Sequence, residues 1–338
     1  QKMLKLFQKS RISVKFKIVC LRPKKDFTDN GVKTPSIFDV FYFEKFNANS
    51  VELIQNADVL ILPAVGEVID TKVFEKSSIK LIQVTGAGFD RVDEKKLRKL
   101  NINVCNVTGA NSNSVAEYCI GNAISLLRSI KIADKLISLG KFSEVRKQII
   151  EEDLFELQGL NACFIGLGPI GACVAGYFHK FGCKIFCNDI KSLQKSFLNN
   201  LRAKQITLEE VFKIGDIISI HLPLNHSTKN LINRQKLNLM KSNAILINAS
   251  RGGIINENDL AKALLNKKIR GAVLDVFRDE PIKENNPLLN LPEEIKKTVI
   301  LTPHIAGVTK QSWNYLFKES WQNVENFLNG KPLKYLVN

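Results

Sequence analysis

The chain has 338 residues, with 45% apolar and 24% charged, which suits two globular domains and excludes a disordered or collagen-like polymer. Its formal net charge is +16, and the first fifty residues supply +7 of it through eleven Lys/Arg against four Asp/Glu. Such an excess can draw anionic substrates, membranes or nucleic acid, but no nucleic-acid module is recognisable. A basic solvated surface is the expectation, with neither a nucleic-acid nor a membrane partner.

The first 25 residues contain no acid, as in transit peptides. They favour Lys over Arg and run into a plausible strand, Val14 to Leu21. A cytoplasmic location is expected, with organellar targeting by the basic N-terminus left open. The chain starts at Gln rather than Met, so a missing true N-terminus is also left open.

Apolar runs then alternate with helical periods. Strands are predicted at Lys15–Leu21, Val59–Leu62, Leu81–Thr85, Asn103–Val107, Ala162–Gly166, Lys184–Asp189, Asp216–His221, Ala244–Asn248, Gly271–Val276 and Val299–Thr302. Runs such as Ile217-Ile218-Ser219-Ile220 read as strands buried on both faces of a parallel sheet. The alternation predicts an α/β fold. A helix is predicted from Ser114, with Glu117 completing a capping box. Another is predicted from Thr309, carrying Trp313, Leu316, Phe317, Val324 and Phe327 and stopping before Gly330. Arg278 to Lys297 reads as a long polar loop. A hydropathy window flags the seventeen uncharged residues from Ala162 to Phe178, a length that nearly permits a membrane span. Its four Gly and one Pro argue instead for strand, turn and buried helix.

The seven Cys (20, 105, 119, 163, 173, 183 and 187) form no C-x-x-C pair, which favours buried thiols in a reducing compartment over a disulfide framework. Cys183 and Cys187 would be separated by roughly 13 Å along a strand, too far for one metal ion, and no metal site is expected.

The segment Gly166-Leu167-Gly168-Pro169-Ile170-Gly171 follows an apolar strand and opens a helix, and Asp189 lies eighteen residues beyond Gly171 at the end of the next strand. That context makes it a dinucleotide-binding turn. Gly166 allows the turn, Gly168 admits the pyrophosphate and Gly171 lets helix meet strand. The pyrophosphate is expected on the helix N-terminus. Asp189 is expected at the adenine ribose, favouring NAD, while Lys191 leaves some NADP use open. The turn falls mid-chain, so the first domain must be discontinuous: 1–128 plus 309–338 for substrate, with 129–308 as the NAD-binding domain.

Three further segments supply a cation, a carboxylate and an imidazole beside predicted strand ends. They are Ser250-Arg251-Gly252-Gly253, Asp279-Glu280-Pro281 and Thr302-Pro303-His304. Arg holds a carboxylate bidentately, and His exchanges a proton near neutral pH, where a neighbouring Glu can keep it protonated. With a nicotinamide, the set suffices for hydride transfer to a 2-oxo acid. Singly, each has a plain alternative: a surface cation, a solvated loop acid, a satisfied turn histidine.

Laid out together, these residues resemble the D-isomer-specific 2-hydroxyacid dehydrogenases over nearly the whole length. Further carriers are Val84-Thr85-Gly86-Ala87-Gly88-Phe89-Asp90, Ser114-Val115-Ala116-Glu117, His221-Leu222-Pro223-Leu224, Asn248-Ala249-Ser250-Arg251-Gly252, Asp275 to Pro281 and Thr302 to Gly307. The resemblance implies two Rossmann-like doubly wound parallel-sheet domains with a cleft between them, and a homodimer. It implies that Arg251 binds the substrate carboxylate and carbonyl, that His304 is the acid/base paired with Glu280, and that Gly86, Ala87 and Gly88 offer amides to the carboxylate. It places Asp275 at the nicotinamide carboxamide. Gly166, Gly168, Pro169, Ile170, Gly171, Asp189, His221, Leu222, Pro223, Ala249, Ser250 and Gly307 are implied along the cofactor. Phe142 stands where many members have Trp, in a region often used for subunit contact.

The implied activity is NAD-dependent interconversion of a small 2-oxo acid and its D-2-hydroxy acid. An NAD-sensing corepressor or scaffold on the same fold is a second reading. Formate dehydrogenase is a third, against which Glu280 counts, since that family typically carries Gln there. Phosphoglycerate dehydrogenases commonly place an Arg just after the strand corresponding to Val59–Leu62. Here Pro63-Ala64-Val65-Gly66-Glu67 has none, so an unphosphorylated substrate such as glyoxylate or hydroxypyruvate is expected. Phe89 suggests an apolar wall, with core packing as its alternative. The chain ends soon after its return to the first domain, and no appended regulatory domain is expected.

Overall fold

The computed structural model describes residues 16–338, so most of the acid-free N-terminal stretch lies outside the described residues. The chain divides into two compact units, 1–110 with 310–338, and 111–309. The expected boundary at 128 therefore moves to 110. The reason is the helix Ser112–Leu127, which buries Val115, Ala116, Cys119, Ile120, Ala123, Leu126 and Leu127. Those side chains join the core of the second unit, with Phe164, Val174 and Phe178. This helix begins two residues earlier than predicted, with Asn111 as N-cap and no side-chain capping bond. The predicted capping box is not made, because Ser114 lies inside the helix rather than at its cap, and its hydroxyl pairs instead with Thr309 Oγ1 at 2.9 Å.

The first unit holds β1 (Phe16–Cys20), β2 (Phe38–Tyr42), β3 (Val59–Pro63), β4 (Leu81–Thr85) and β5 (Asn103–Cys105). They form a parallel sheet in the order β2-β1-β3-β4-β5. β3 and β4 are almost wholly buried, β3 as an apolar run and β4 with Gln83 and Thr85 among apolar residues. The helix Lys310–Leu328 returns to this unit and sets Leu316, Phe317, Trp321 and Val324 against Phe27 and Phe38.

The second unit holds β6 (Asn161–Ile165), β7 (Lys184–Asn188), β8 (Ala203–Gln205), β9 (Ile217–Ile220), β10 (Ile245–Asn248), β11 (Gly271–Leu274) and β12 (Val299–Leu301). Their order is β12-β11-β10-β9-β6-β7-β8, all parallel. The chain leaves β6 toward β7 on one side, and β9 pairs with β6 on the other. The strand order reverses there, the place where open α/β sheets bind ligands at their carboxyl ends. The flagged run Ala162–Phe178 is β6, the glycine turn and most of the helix Pro169–Lys180. Among the described residues, no helix is long and apolar enough to cross a membrane.

Candidate active site

The glycine turn sits at the reversal point. Gly166 has φ +88°, and a Cβ there would lie 2.5 Å from the His221 carbonyl oxygen, so a side chain would drive the end of β6 away from the end of β9. Gly168 caps the following helix with no side-chain hydrogen bond, and Pro169 takes its first position. Space and donors there suit a dinucleotide: a Cβ built at Gly168 meets nothing within 4 Å, leaving the helix N-terminus open to an anion. Ile170 is half-buried and packs on the core beneath.

Asp189 follows β7. Its Oδ2 accepts the Leu167 amide at 2.9 Å and its Oδ1 the Lys191 amide at 3.0 Å. The carboxylate is thus tied to the glycine turn. The His221 ring lies under the turn, stacked on Phe164. Its Nε2 meets Ser219 Oγ at 2.9 Å, and its Nδ1 is buried with no partner among the described residues. Burial pushes its pKa down to about 4, so the ring is neutral. Leu222 lies against Gly166, and Thr228 donates to the Pro223 carbonyl at 2.7 Å.

Three loops leave β10, β11 and β12 together. Asn248 ends β10 with its side chain turned back: Oδ1 accepts the Ser250 amide and hydroxyl, and Nδ2 donates to the Arg251 carbonyl. Ala249 packs on the core. Arg251 Nη1 donates to the Ser250 carbonyl at 2.8 Å. Gly252 is what lets this loop meet the next, since a Cβ there would lie 1.7 Å from the Phe277 carbonyl oxygen. Glu257 anchors the long polar loop by accepting from the Arg278 amide and the Asn286 side chain.

Asp275 follows β11 and is 1% exposed. Its Oδ1 accepts from Thr302 Oγ1 at 2.6 Å and the Ile305 amide at 2.8 Å, and its Oδ2 accepts the Ala306 amide at 2.7 Å. Its carbonyl accepts the His304 amide at 2.8 Å. Asp275 thereby grips four successive points of the His304 loop, a structural duty additional to the nicotinamide contact expected of it. Tyr118 OH meets Thr302 Oγ1 at 2.6 Å and completes the network. Gly307 abuts the Asn111 side chain.

Held this way, His304 adopts φ +56°, a left-handed conformation uncommon outside Gly. Its Nδ1 meets Glu280 Oε2 at 2.8 Å, and Glu280 Oε1 accepts the Phe277 amide at 3.0 Å. Burial would raise the Glu280 pKa. The His304 hydrogen bond, the Phe277 amide and the charges of His304 and Arg251 outweigh it, so the carboxyl sits below its ordinary value. A charged Glu280 requires the hydrogen on Nδ1, which leaves Nε2 to exchange a proton.

In the first unit, Val107 donates to the Gly86 carbonyl and the Asn106 side chain to that of Ala87. Among the described residues, the amides of Ala87 and Gly88 donate no hydrogen bond. Phe89 is half-buried and packs on the core, the alternative noted for it. Two cations reach this sheet end without having been foreseen. Arg91, 5% exposed, donates to the Pro63 and Glu67 carbonyls at 3.2 and 2.8 Å. Arg22 donates to Thr85 Oγ1 at 3.1 Å, pairs with Asp26 and lies over Trp313. The sequence signal was only that each Arg sits within a few residues of a strand end.

Residues 120–306 match the family model for the NAD binding domain of D-isomer specific 2-hydroxyacid dehydrogenases. The chain is 31% identical over 264 residues to the hydroxypyruvate reductase of Blautia hydrogenotrophica, covering 78% of this chain and 80% of that one. It is 34% identical over 290 residues to the D-3-phosphoglycerate dehydrogenase of Methanocaldococcus jannaschii, covering 85% of this chain. There the match takes in 53% of the relative, so the chain spans about half the length of that enzyme. A D-lactate dehydrogenase from Aquifex aeolicus, solved with NAD and lactic acid, superposes with a TM-score of 0.79 at 25% identity, covering 93% of this chain and 96% of that one.

Proposed function

The chain belongs to the D-isomer specific 2-hydroxyacid dehydrogenase family, and we propose that it interconverts a small unphosphorylated 2-oxo acid and its D-2-hydroxy acid with NAD. The observation that carries this is the His304–Glu280 pair at 2.8 Å in a loop gripped by Asp275. The nicotinamide, when bound, supplies the hydride for reduction. Glu280 orients the His304 ring through its Nδ1 at 2.8 Å. His304 delivers its Nε2 proton to the carbonyl oxygen, and the Arg251 guanidinium stabilises the negative charge growing there. The amides of Gly86, Ala87 and Gly88 take the carboxylate. Gly168, Pro169 and Ile170 at the helix N-terminus hold the pyrophosphate, Gly166 and Gly171 shape the turn beneath it, and Asp189 takes the adenine-ribose hydroxyls. His221, Leu222, Pro223, Ala249, Ser250 and Gly307 line the cofactor.

The unphosphorylated class rests on the segment after β3. Arg91 does reach it, but is buried and turned onto the Pro63 and Glu67 carbonyls, which take two of its N–H groups, and Glu67 itself would repel a phosphate. A homodimer and a cytoplasmic location belong to the same reading. The dimer is supported by the helix Ile130–Ile137, which has no buried residue and exposes Ile130 and Ile137, and by exposed Leu139, Phe142 and Ile150 in the segments that follow. The location is supported by seven unbridged cysteines, six of them buried.

Steady-state NADH oxidation with glyoxylate, hydroxypyruvate and phosphohydroxypyruvate tests the substrate class. Hydroxypyruvate or glyoxylate should give the highest kcat/KM. A clear preference for the phosphorylated compound would overturn the class, and failure to oxidise NADH with any 2-oxo acid would overturn the activity.

A further inference from the structure

The loop that presents Asp189 is fastened by a side chain from the sheet edge. Gln205 ends the three-residue edge strand β8 and pairs in register with Cys187 of β7. Its Nε2 donates to the Lys191 carbonyl at 2.8 Å and the Asp189 carbonyl at 3.4 Å, and its Oε1 accepts the Leu193 amide at 3.0 Å. One carboxamide therefore satisfies both flanks of residues 189–193, mimicking a further step of the ladder where the strand has ended. Burial does little to hold the tip, since Lys191 and Ser192 are exposed and Ile190 is 98% exposed. A β-branched apolar side chain is thus held out in water next to a carboxylate whose two oxygens each accept a single amide. A carboxylate oxygen offers about two acceptor sites, so one remains on each oxygen for a pair of neighbouring hydroxyls.

We propose that Gln205 is a positioning residue for cofactor discrimination: it clamps the 189–193 loop so that Asp189 reads an unphosphorylated ribose while Ile190 flanks the adenosine half. The inference rests on the reading of Asp189 as the ribose ligand. Gln205 acts through the loop and touches no reacting atom. Released from the clamp, Asp189 loses its fixed direction, and the Lys191 ammonium is free to meet a 2′-phosphate. Discrimination between NADH and NADPH should then narrow while the chemical step is untouched.

The test uses the full chain, with NADH and NADPH affinities from fluorescence titration and kcat at saturating NADH. The proteins are wild type, Q205L, D189A and the double variant. Losing the clamp should weaken NADH about tenfold, the scale of one or two net hydrogen bonds. NADPH should change less and kcat should stay within about twofold. Because the two side chains act as a unit, the double variant should show the NADH:NADPH ratio of D189A alone. Q205E, which keeps an acceptor for Leu193 but turns carboxylate oxygen toward two carbonyls, should act in the same direction. Equal weakening of both cofactors, or a fall in kcat with the ratio preserved, would mean Gln205 is merely structural. A wild type without preference for NADH would remove the Asp189 reading and the clamp with it. A discriminating wild type, with D189A defective and Q205L unchanged in ratio, would remove the clamp alone.

Discussion

The two halves of the seven-stranded sheet end in different materials. Beyond β6 and β7 the chain offers glycines, helix amides and a single carboxylate tied to backbone. Beyond β10, β11 and β12 it offers Arg251, Asp275 and Glu280, whose side chains bond to backbone, and His304, whose ring bonds to Glu280. A bound polyanion needs many weak donors in a fixed curve, which backbone supplies without titrating. Proton transfer needs groups that change charge, and these must be held by others that do not move. The two histidine environments make the contrast concrete. His221 lies beneath the glycine turn without a charged partner and is neutral, whereas His304 faces a carboxylate kept ionised.

If this division of labour is right, the largest losses of turnover come from the β10–β12 side. H304A and R251A should each lower kcat by at least about 10²-fold, the scale of acid/base and charge-stabilising groups, with cofactor affinity nearly unchanged. E280Q should cost about tenfold or more by unfixing the ring. Because the folded Glu280 pKa is lowered, its charged contribution is present above the ordinary carboxylate range and is lost only as pH falls through that lower value. The wild type-to-E280Q ratio should therefore hold steady from neutral pH down to about pH 5. Steady-state kinetics on folded variants would break the contrast if H304A kept near wild-type kcat.

The central strands were plain in the sequence because burial on both faces leaves a mostly apolar run with no charged residue. Ile217 to Ile220 and Leu81 to Thr85 match what the structure shows within a residue. The strands overlooked, Phe38–Tyr42 and Ala203–Gln205, are both at a sheet edge and half exposed. There one face is wet and the pattern is no longer continuous. The same asymmetry holds at the site. Arg251, Glu280 and His304 announce themselves by chemistry and order. Asp275, Thr302 and Tyr118 act through contacts between residues as far apart as 118 and 302, which no local spacing encodes. The Ser114 capping box failed because the helix starts two residues earlier, leaving the serine inside it to meet a distant hydroxyl.

On the β6–β7 side, variants should move affinity rather than rate. D189A should raise the KM for NADH about tenfold, through loss of charge-assisted hydrogen bonds to the ribose. It should also remove the repulsion that keeps a 2′-phosphate out. kcat at saturating cofactor should stay within about twofold, since Asp189 makes no interaction particular to the transition state. Parallel KM and kcat measurements with NADH and NADPH decide this. An equal fall in kcat for both cofactors would place Asp189 with the chemistry and erase the contrast.

The smallest effect on turnover belongs to His221, whose consequence is for stability. Its folded pKa is lowered from 6.5 to about 4, so between these values the unfolded chain binds a proton that the native state does not. Stability must then rise with pH across that window and be lost as pH falls through it. The difference corresponds to about 3 kcal/mol over the whole interval, to order of magnitude. Replacing the ring with a group that cannot titrate removes this one component and leaves the other carboxylate and histidine contributions in place. In H221Q the slope of unfolding free energy against pH between about 6.5 and 4 should be shallower than in wild type, whatever the offset at neutral pH. Urea unfolding at several pH values measures both slopes. Coincident slopes would show that the ring is solvated or charged in the native state, and that the half of the sheet built for binding does not exclude a titrating group after all.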